Sequence, residues 1–452
     1  MDFSKLAKSL NPYTIKKGFS YLKQYGFQEF KVRLSERFEK EEVDYNEWCK
    51  NDILTDEERK AQRGRIWEYP PLISVVVPIY KTPEVFLRQM IESVTAQTYP
   101  HWQLCIADGS GDTAGTKRIV DSYLSDKRIK YKILAENLGI ADNTNAAMEL
   151  ADGDYIALFD HDDLLSENAL YEVADRICKT GAEIVYTDED KVTSDLSERY
   201  QPNFKPDFNL DLLRSNNYIC HLLVVQKTLV QEVGGQKKEF DGAQDHEFLF
   251  RCIEKAKGIE HIPKVLYHWR CHEASTASNP QSKRYAYEAG QRALEDYCLR
   301  KGWKATVSGL KHLGFYREDY EDSVFCQRPE IGIWAKPLPG GRDVFGIRNP
   351  KGFLVSGLYE NDGSMRYAGL RKGYSGPMHR AALQQSAPAA DLRSMEVCSA
   401  LKERYAQTIA ELKEACQGLP TAAQETKILQ KSMDFCKEAT AAGYGILWDP
   451  QA

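Results

Sequence analysis

Three things are scarce in this chain of 452 residues. Basic charge is not in excess: 60 Lys and Arg stand against 66 Asp and Glu, for a net charge of −6. With no basic stripe interleaved with aromatics either, nothing favours nucleic-acid binding. Long apolar runs are missing too. Stretches such as Leu72 to Val77 and Leu222 to Val225 fall far short of the roughly 20 residues that span a bilayer. The amino terminus has no charged-then-apolar leader, so a cytoplasmic protein is expected. Paired cysteines are the third absence. The eleven are scattered, odd in number and without a Cys-x-x-Cys, which fits structural thiols in a reducing compartment better than disulfides or zinc.

What is present suffices for a large core. At 42% hydrophobic and 28% charged content the chain is globular and should divide into two or three domains. Residues 1–70 read as a helical segment, with Tyr13, Phe19, Leu22, Phe27, Phe30 and Leu34 set among lysines, ending at Pro70-Pro71. Its first forty residues carry nine basic against four acidic side chains. That balance is compatible with peripheral contact to an anionic membrane face, and equally with an ordinary packing helix.

Residues 71–315 alternate between short apolar strands and helical patterns. Strands are expected at Leu72–Val77, Gln103–Ala107, Ile129–Leu134, Tyr155–Phe159 and Glu183–Tyr186, with helices between them. In Glu167–Lys179, Leu170, Val173, Ala174 and Ile177 fall on one helical face. Such alternation predicts βαβ units and an α/β, Rossmann-like fold with a mainly parallel sheet. Residues 316–452 lose this rhythm in a Gly/Pro-rich stretch followed by a charged helical run.

Polar residues gather at the carboxyl ends of successive strands, where open α/β sheets place ligands. The first strand ends in Pro78-Ile79-Tyr80, the second in Asp108-Gly109-Ser110, the third in Glu136-Asn137-Leu138-Gly139. The fourth runs into Asp160-His161-Asp162-Asp163, three carboxylates in four positions. A hard divalent cation takes one or two carboxylates and completes its shell with water and phosphate oxygens, so this cluster suits Mg²⁺ or Mn²⁺ on a diphosphate. Tyr80 can cover a base, and Asp108 can accept from a uracil or thymine imide or a ribose. Downstream, Tyr267-His-Trp-Arg-Cys-His272 reads as a strand with His268, Arg270 and His272 on one face. That face can grip the diphosphate, with Arg270 donating in a bidentate manner and His268 completing a metal shell.

These segments resemble the signatures of family 2 glycosyltransferases, which have the GT-A fold. The resemblance runs through Leu72-Ile-Ser-Val-Val-Val-Pro-Ile-Tyr80, Asn137-Leu-Gly-Ile-Ala-Asp-Asn-Thr-Asn145 and Phe159-Asp-His-Asp-Asp-Leu-Leu165. It continues through Tyr186-Thr-Asp-Glu-Asp190, Phe204-Lys-Pro-Asp207, Asn217-Tyr-Ile-Cys-His-Leu222, Gly242-Ala-Gln-Asp-His-Glu-Phe248 and Val265-Leu-Tyr-His-Trp-Arg270. The set is similar to the branch that assembles bacterial O-antigen, rhamnan and capsule. It implies a metal-dependent, inverting transfer of a sugar from a UDP- or dTDP-linked donor to a hydroxyl of a surface polysaccharide or lipid-linked glycan.

Carried onto this chain, the resemblance makes Asp160, Asp162 and His268 the expected metal site, with Asp162 as direct ligand. Pro78, Tyr80, Asp108, Asn137, Asn143, Asp160, Arg270 and His272 would contact the donor. Asp245 would be the general base, against the simpler reading of a helix amino-terminal cap. Asp188, Asp190 and His221 would meet the acceptor. Segments Phe353–Gly369, Asp434–Lys437 and Gly443–Pro450 resemble the later half of a second such module, in which Ser432 stands where a catalytic Asp would fall. Residues 316–452 are therefore expected to be a degenerate, non-catalytic module offering a platform to acceptor or assembly partners. Two other classes stay open: a non-catalytic carbohydrate- or nucleotide-binding scaffold, and a nucleotidyltransferase. The latter should carry a Gly-rich basic loop where this chain has Val77-Pro-Ile-Tyr-Lys-Thr-Pro83.

Overall fold

The structure is a computed structural model that describes residues 45–50, 52–111, 115–205, 207–272, 284–310, 313–321, 324–329, 331–335, 395–415 and 441–448, with shorter pieces elsewhere. Its centre is a nine-stranded sheet in the order β3-β2-β1-β4-β8-β6-β9-β5, with β7 paired to β6. The strands are β1 (Ile73–Ile79), β2 (Trp102–Asp108), β3 (Ile129–Ile133), β4 (Tyr155–Leu158), β5 (Leu164–Leu165), β6 (Ile184–Thr193), β7 (Arg199–Asn203), β8 (Leu223–Gln226) and β9 (Ile259–Cys271). Every residue of β1 is buried, as its run of Ile and Val side chains on both faces requires for a strand covered on both sides.

Alternation along these strands sorts the two cores. Val75, Val77, Leu104 and Ile106 meet α3 (Glu84–Thr95) and α6 (Ala169–Thr180) on one face, and Leu170, Val173, Ala174 and Ile177 form the predicted stripe. Val76, Cys105, Ile156 and Leu158 face the other side, against α5 (Ile140–Met148), α9 (Gln244–Ile253) and α10 (Arg284–Lys301). One residue of register separates the faces, so the period-two pattern alone builds a three-layer α/β/α domain.

The chain starts β1, moves outward through β2 and β3, then crosses back to lay β4 on β1's other side. That reversal is a topological switch point, and it opens a crevice at the carboxyl ends of β1 and β4. The acidic cluster follows β4 directly. Beyond β4 the sheet departs from the mainly parallel expectation: β8 runs antiparallel to both β4 and β6, while β6 and β9 are again parallel. β6 is also longer than the expected Glu183–Tyr186 strand, which brings Asp188, Glu189 and Asp190 inside the sheet.

Segment 1–70 does not stand apart where it is described. Helix α1 (Tyr45–Lys50) lies on β6 and β7, with Tyr45 donating to Asp190 at 2.7 Å and Arg199 N–H to Asn46 at 3.0 Å. Helix α2 (Asp56–Arg63) is closed by a Thr55/Glu58 capping box and packs through Gln62, which accepts from Thr98 at 2.7 Å. The membrane-contact expectation rests on residues 1–40, which lie almost wholly outside the described residues. Among the described residues no helix is long and apolar enough to cross a membrane.

The expected boundary at 315/316 falls inside a hairpin of β10 (Ala305–Gly309) and β11 (Tyr316–Tyr320). Arg214 donates to Glu318 at 2.9 Å and Arg328 to Asp211 at 2.7 Å, so the first domain extends through Arg328. Past it, β12 (Ile331–Ala335) pairs parallel with Gly445–Trp448 and antiparallel with Met395–Val397. Val397, Leu401, Ile409, Phe435 and Ala439 form a separate small core. Ser432 and most of Phe353–Gly369, on which the expected second module rests, lie outside the described residues.

Candidate active site

Residues 160–163 form a short loop pinned at both ends, by β4 before it and by β5 after it, where Leu164 pairs with His268 and Leu165 with Tyr267. The loop divides its acids between two jobs. Asp163 points inward and is fully buried: one oxygen accepts from the Tyr267 hydroxyl at 2.5 Å and the other from the Arg270 N–H at 2.7 Å. Burial, then the charges of Asp162 and Asp160, push its pKa well above the ordinary carboxylate range, with the two hydrogen bonds opposing. Asp163 is thus a structural anchor.

Asp160 and Asp162 face the crevice. The Asp160 side chain keeps 45% of its surface exposed, with His221 Nε2 at 3.8 Å from Oδ2. Asp162 is 18% exposed, with His272 Nε2 at 2.8 Å and His161 Nδ1 at 3.9 Å. Surrounding protein raises the Asp160 pKa; Asp162 and Asp245 add to the rise, and His221 and His161 oppose it. Two crowded carboxylates met by imidazoles are what a hard cation relieves. Among the described residues no three His, Cys, Asp or Glu side chains converge as a complete metal shell.

The expected roles of the β9 residues need correction. His268 Nδ1 lies 2.6 Å from Asp190 Oδ1 and its Nε2 lies 2.8 Å from Ser166 Oγ, so both ring nitrogens are engaged away from the acidic loop. The cause is register: β6 and β9 pair Asp190 directly with His268. His272, expected on the donor, is the histidine that meets Asp162. Arg270, expected on the diphosphate, is fully buried, and its Nη2 has no hydrogen-bond partner among the described residues. Its Nε donates to the Asp162 carbonyl at 2.6 Å and its Nη1 to the Ser194 carbonyl at 2.8 Å, holding the acidic loop from behind.

Asp188 and Asp190, expected to meet the acceptor, are both buried inside the sheet. Asp188 lies 2.8 Å from His261 Nε2 and accepts from the Lys205 N–H at 2.8 Å; only 1% of it is exposed. Asp190 is fully buried between His268, Tyr45 and Arg199, whose Nε donates at 2.6 Å. Burial disfavours its charge, but His268, Arg199 and Tyr45 outweigh that and hold its pKa below the usual range. His221 remains beside the site, its ring stacked 4.7 Å from that of Tyr267.

Asp245 sits in the first turn of α9, whose cap is Ala243, so it is not the helix cap. Its Oδ2 accepts from Asn217 Nδ2 at 2.8 Å. On the nucleotide side, Pro78 is buried in β1 and Tyr80 is 42% exposed at its end. Asp108 accepts from Tyr131 OH at 2.5 Å and from Ser110 N–H at 2.8 Å. Asn143 donates to Asn137 at 2.8 Å and accepts from Leu138 N–H at 3.1 Å. Asp108, Asn137 and Asn143 therefore shape the crevice wall. Gly109 packs closely there, since a Cβ would come within 3.1 Å of the Asn143 side chain and 3.2 Å of the Asn137 backbone.

Residues 74–231, which hold β1, β4 and the acidic loop, match the family described as Glycosyl transferase family 2. The chain carries a family 2 glycosyltransferase domain. Its GT-A-type sheet, with the acidic loop at the switch point, accords with that assignment. The domain is 34% identical over 272 residues to the O-antigen biosynthesis protein RfbC of Myxococcus xanthus, covering 59% of this chain and 21% of that protein. It is 44% identical over 258 residues to protein y4gI of Sinorhizobium fredii, covering 55% of this chain and 28% of that one. The chain thus spans less than a third of the length of either relative. Among solved structures, S. aureus TarS in complex with UDP-GlcNAc is similar at 21% identity and a TM-score of 0.42, over 50% of this chain and 66% of that one.

Three residues of this glycosyltransferase domain escaped sequence reasoning: Tyr267, Asn217 and Lys205. Each lies in a segment that carried the family resemblance, which was the available signal. What each touches depends on strands far away in sequence.

Proposed function

We propose that the domain transfers a sugar, with inversion, from a UDP- or dTDP-linked donor to a glycan hydroxyl, in a reaction dependent on Mg²⁺ or Mn²⁺. One observation carries the reading. The segment Asn217–Leu222 touches Asp245 through Asn217 and approaches Asp160 through His221, which brings the candidate base and the donor-side acids to one crevice. Asp160 and Asp162 would hold the cation, which when bound supplies neutralising charge to the departing nucleoside diphosphate. Asp245, in the first turn of α9, takes the proton from the acceptor hydroxyl as that oxygen attacks the anomeric carbon. A single carboxylate opposite the leaving group gives direct displacement and hence inversion. The similarity to the Myxococcus O-antigen biosynthesis protein supports a surface polysaccharide or lipid-linked glycan as acceptor. The residues beyond Arg328 are proposed as a non-catalytic module, and a cytoplasmic setting is proposed for the reaction.

The test is incubation of the purified protein with UDP-, dTDP- and GDP-sugars and Mn²⁺, following donor hydrolysis and transfer. Metal-dependent release from one donor supports the reading, and NMR of the product's anomeric centre tests inversion. Nucleotide binding with no turnover on any donor and acceptor would favour a binding scaffold instead.

A further inference from the structure

Lys205 is a fully buried lysine outside the chemistry described above. A buried ammonium needs a partner for each of its three donors. Nζ of Lys205 has three: the Ile219 carbonyl at 2.6 Å, the His221 carbonyl, and Glu189 Oε2 at 3.2 Å. Its base is fixed as well, because Lys205 N–H donates to Asp188 and Asn203 Nδ2 donates to Glu189 at 3.2 Å. The β6–β9 register shifts on both sides of Asp188, and a bulge re-aims consecutive side chains. Asp188 and Glu189 are therefore both directed at Lys205.

What this ammonium holds is the segment that borders the crevice. Two carbonyls of Asn217–Leu222 turn inward to Lys205. On the same segment, Asn217 reaches Asp245 at 2.8 Å and His221 stacks on Tyr267. Cys220 sits at φ 37°, a left-handed conformation that a residue with a Cβ keeps only when its surroundings enforce it. Asn217 Oδ1 accepts from the Cys220 N–H at 3.4 Å, so the turn and the amide that meets Asp245 are one unit.

We infer that Lys205, anchored by Asp188 and Glu189, is a positioning residue that acts through Asn217 to aim Asp245 at the acceptor hydroxyl. This rests on Asp245 being the base. It assigns the second acidic cluster a purpose: to seat the lysine that shapes the acceptor side of the crevice.

The test is a double-mutant cycle on the full chain, with Lys205→Met, Asn217→Ala and both together, read as kcat, donor KM and thermal midpoint. Misplacement of a reacting group by about 1 Å costs up to about 10²-fold. We expect each single variant to lose about 10- to 100-fold in kcat, with donor KM within about threefold of the parent. The double variant should fall within about threefold of the worse single, as for residues acting through one path. Losses that multiply, or a Lys205→Met enzyme with parental kcat, would overturn the inference. Should Lys205→Met fail to fold because it strands the Glu189 charge, Lys205→Met/Glu189→Gln takes its place in the cycle with the same expectations. Asp245→Asn is measured alongside. Full turnover in that variant removes the base assignment itself, whereas lost turnover together with multiplying losses removes only the role of Lys205.

Discussion

Replacing Tyr267 by Phe deletes one oxygen from the buried anchor of the acidic loop. The hydroxyl donates to Asp163 Oδ2 at 2.5 Å, and the only other donor on that carboxylate among the described hydrogen bonds is the Arg270 N–H at 2.7 Å. Water cannot replace it, because both side chains are fully buried. Leaving a buried hydrogen-bonding group without its partner costs about 1–3 kcal/mol, and full burial of both side chains puts the loss in the upper part of that range, about 1.5–3 kcal/mol. For a domain of this size, that corresponds to a fall in thermal midpoint of about 3–12 °C. The sign of the pH dependence follows from the raised pKa of Asp163. A carboxyl raised in the folded state binds its proton more tightly there than when unfolded. Its stability cost is therefore absent below the unfolded value of about 3.9 and grows as pH rises toward the folded value. Removing the hydroxyl, which favours the ionised form, raises the folded value further and deepens the cost at high pH. Thermal melts of parent and Tyr267→Phe at about pH 8 and about pH 5 should therefore differ more at the higher pH. An equal midpoint at both pH values, or a larger difference at the acidic one, would refute the assignment of Asp163 as a hydroxyl-anchored carboxylate.

The remaining expectations concern the crevice. Asp160→Ala and Asp162→Ala should abolish transfer and weaken Mn²⁺-dependent nucleoside diphosphate binding while leaving the fold intact; unchanged affinity by calorimetric titration in both would remove them from the metal site. Asp245→Asn should keep donor binding and lower turnover by about 10²-fold or more, the scale of a lost general base, checked by steady-state kinetics. His268→Ala should destabilise by about 1.5–3 kcal/mol through its lost contact with Asp190, yet leave Mn²⁺-dependent affinity within about twofold; denaturant melts and the same titration separate the two effects. Ser432→Ala and Asp434→Ala should keep most transfer activity when folded, and a loss matching that of Asp245→Asn would make the second module a chemical participant.

The strand and helix order of residues 71–315 was legible in the sequence because burial on a sheet leaves a periodic trace: the apolar run of β1 and the 170/173/174/177 stripe of α6 can pack in one way only. The carboxyl-end rule then located the crevice, and three carboxylates in four positions after the fourth strand gave the expectation of a cation with a diphosphate. Which acid faced the crevice was not legible, since Asp160, Asp162 and Asp163 are chemically alike and adjacent. Tyr267 and Arg270, more than a hundred residues downstream, draw Asp163 inward and leave the other two outside. The histidines show the same division. Alternation put His268, Arg270 and His272 on one face, but the pairing of Asp190 with His268 decided that the first would be bound within the sheet and the last would meet Asp162. Asp188 was expected to meet the acceptor, but β6 encloses it together with Glu189, and both meet Lys205. Sequence determines what a residue can bond and where along an element it lies. Strand register and long-range contact decide which partner it receives, and for a buried charge that partner determines its role.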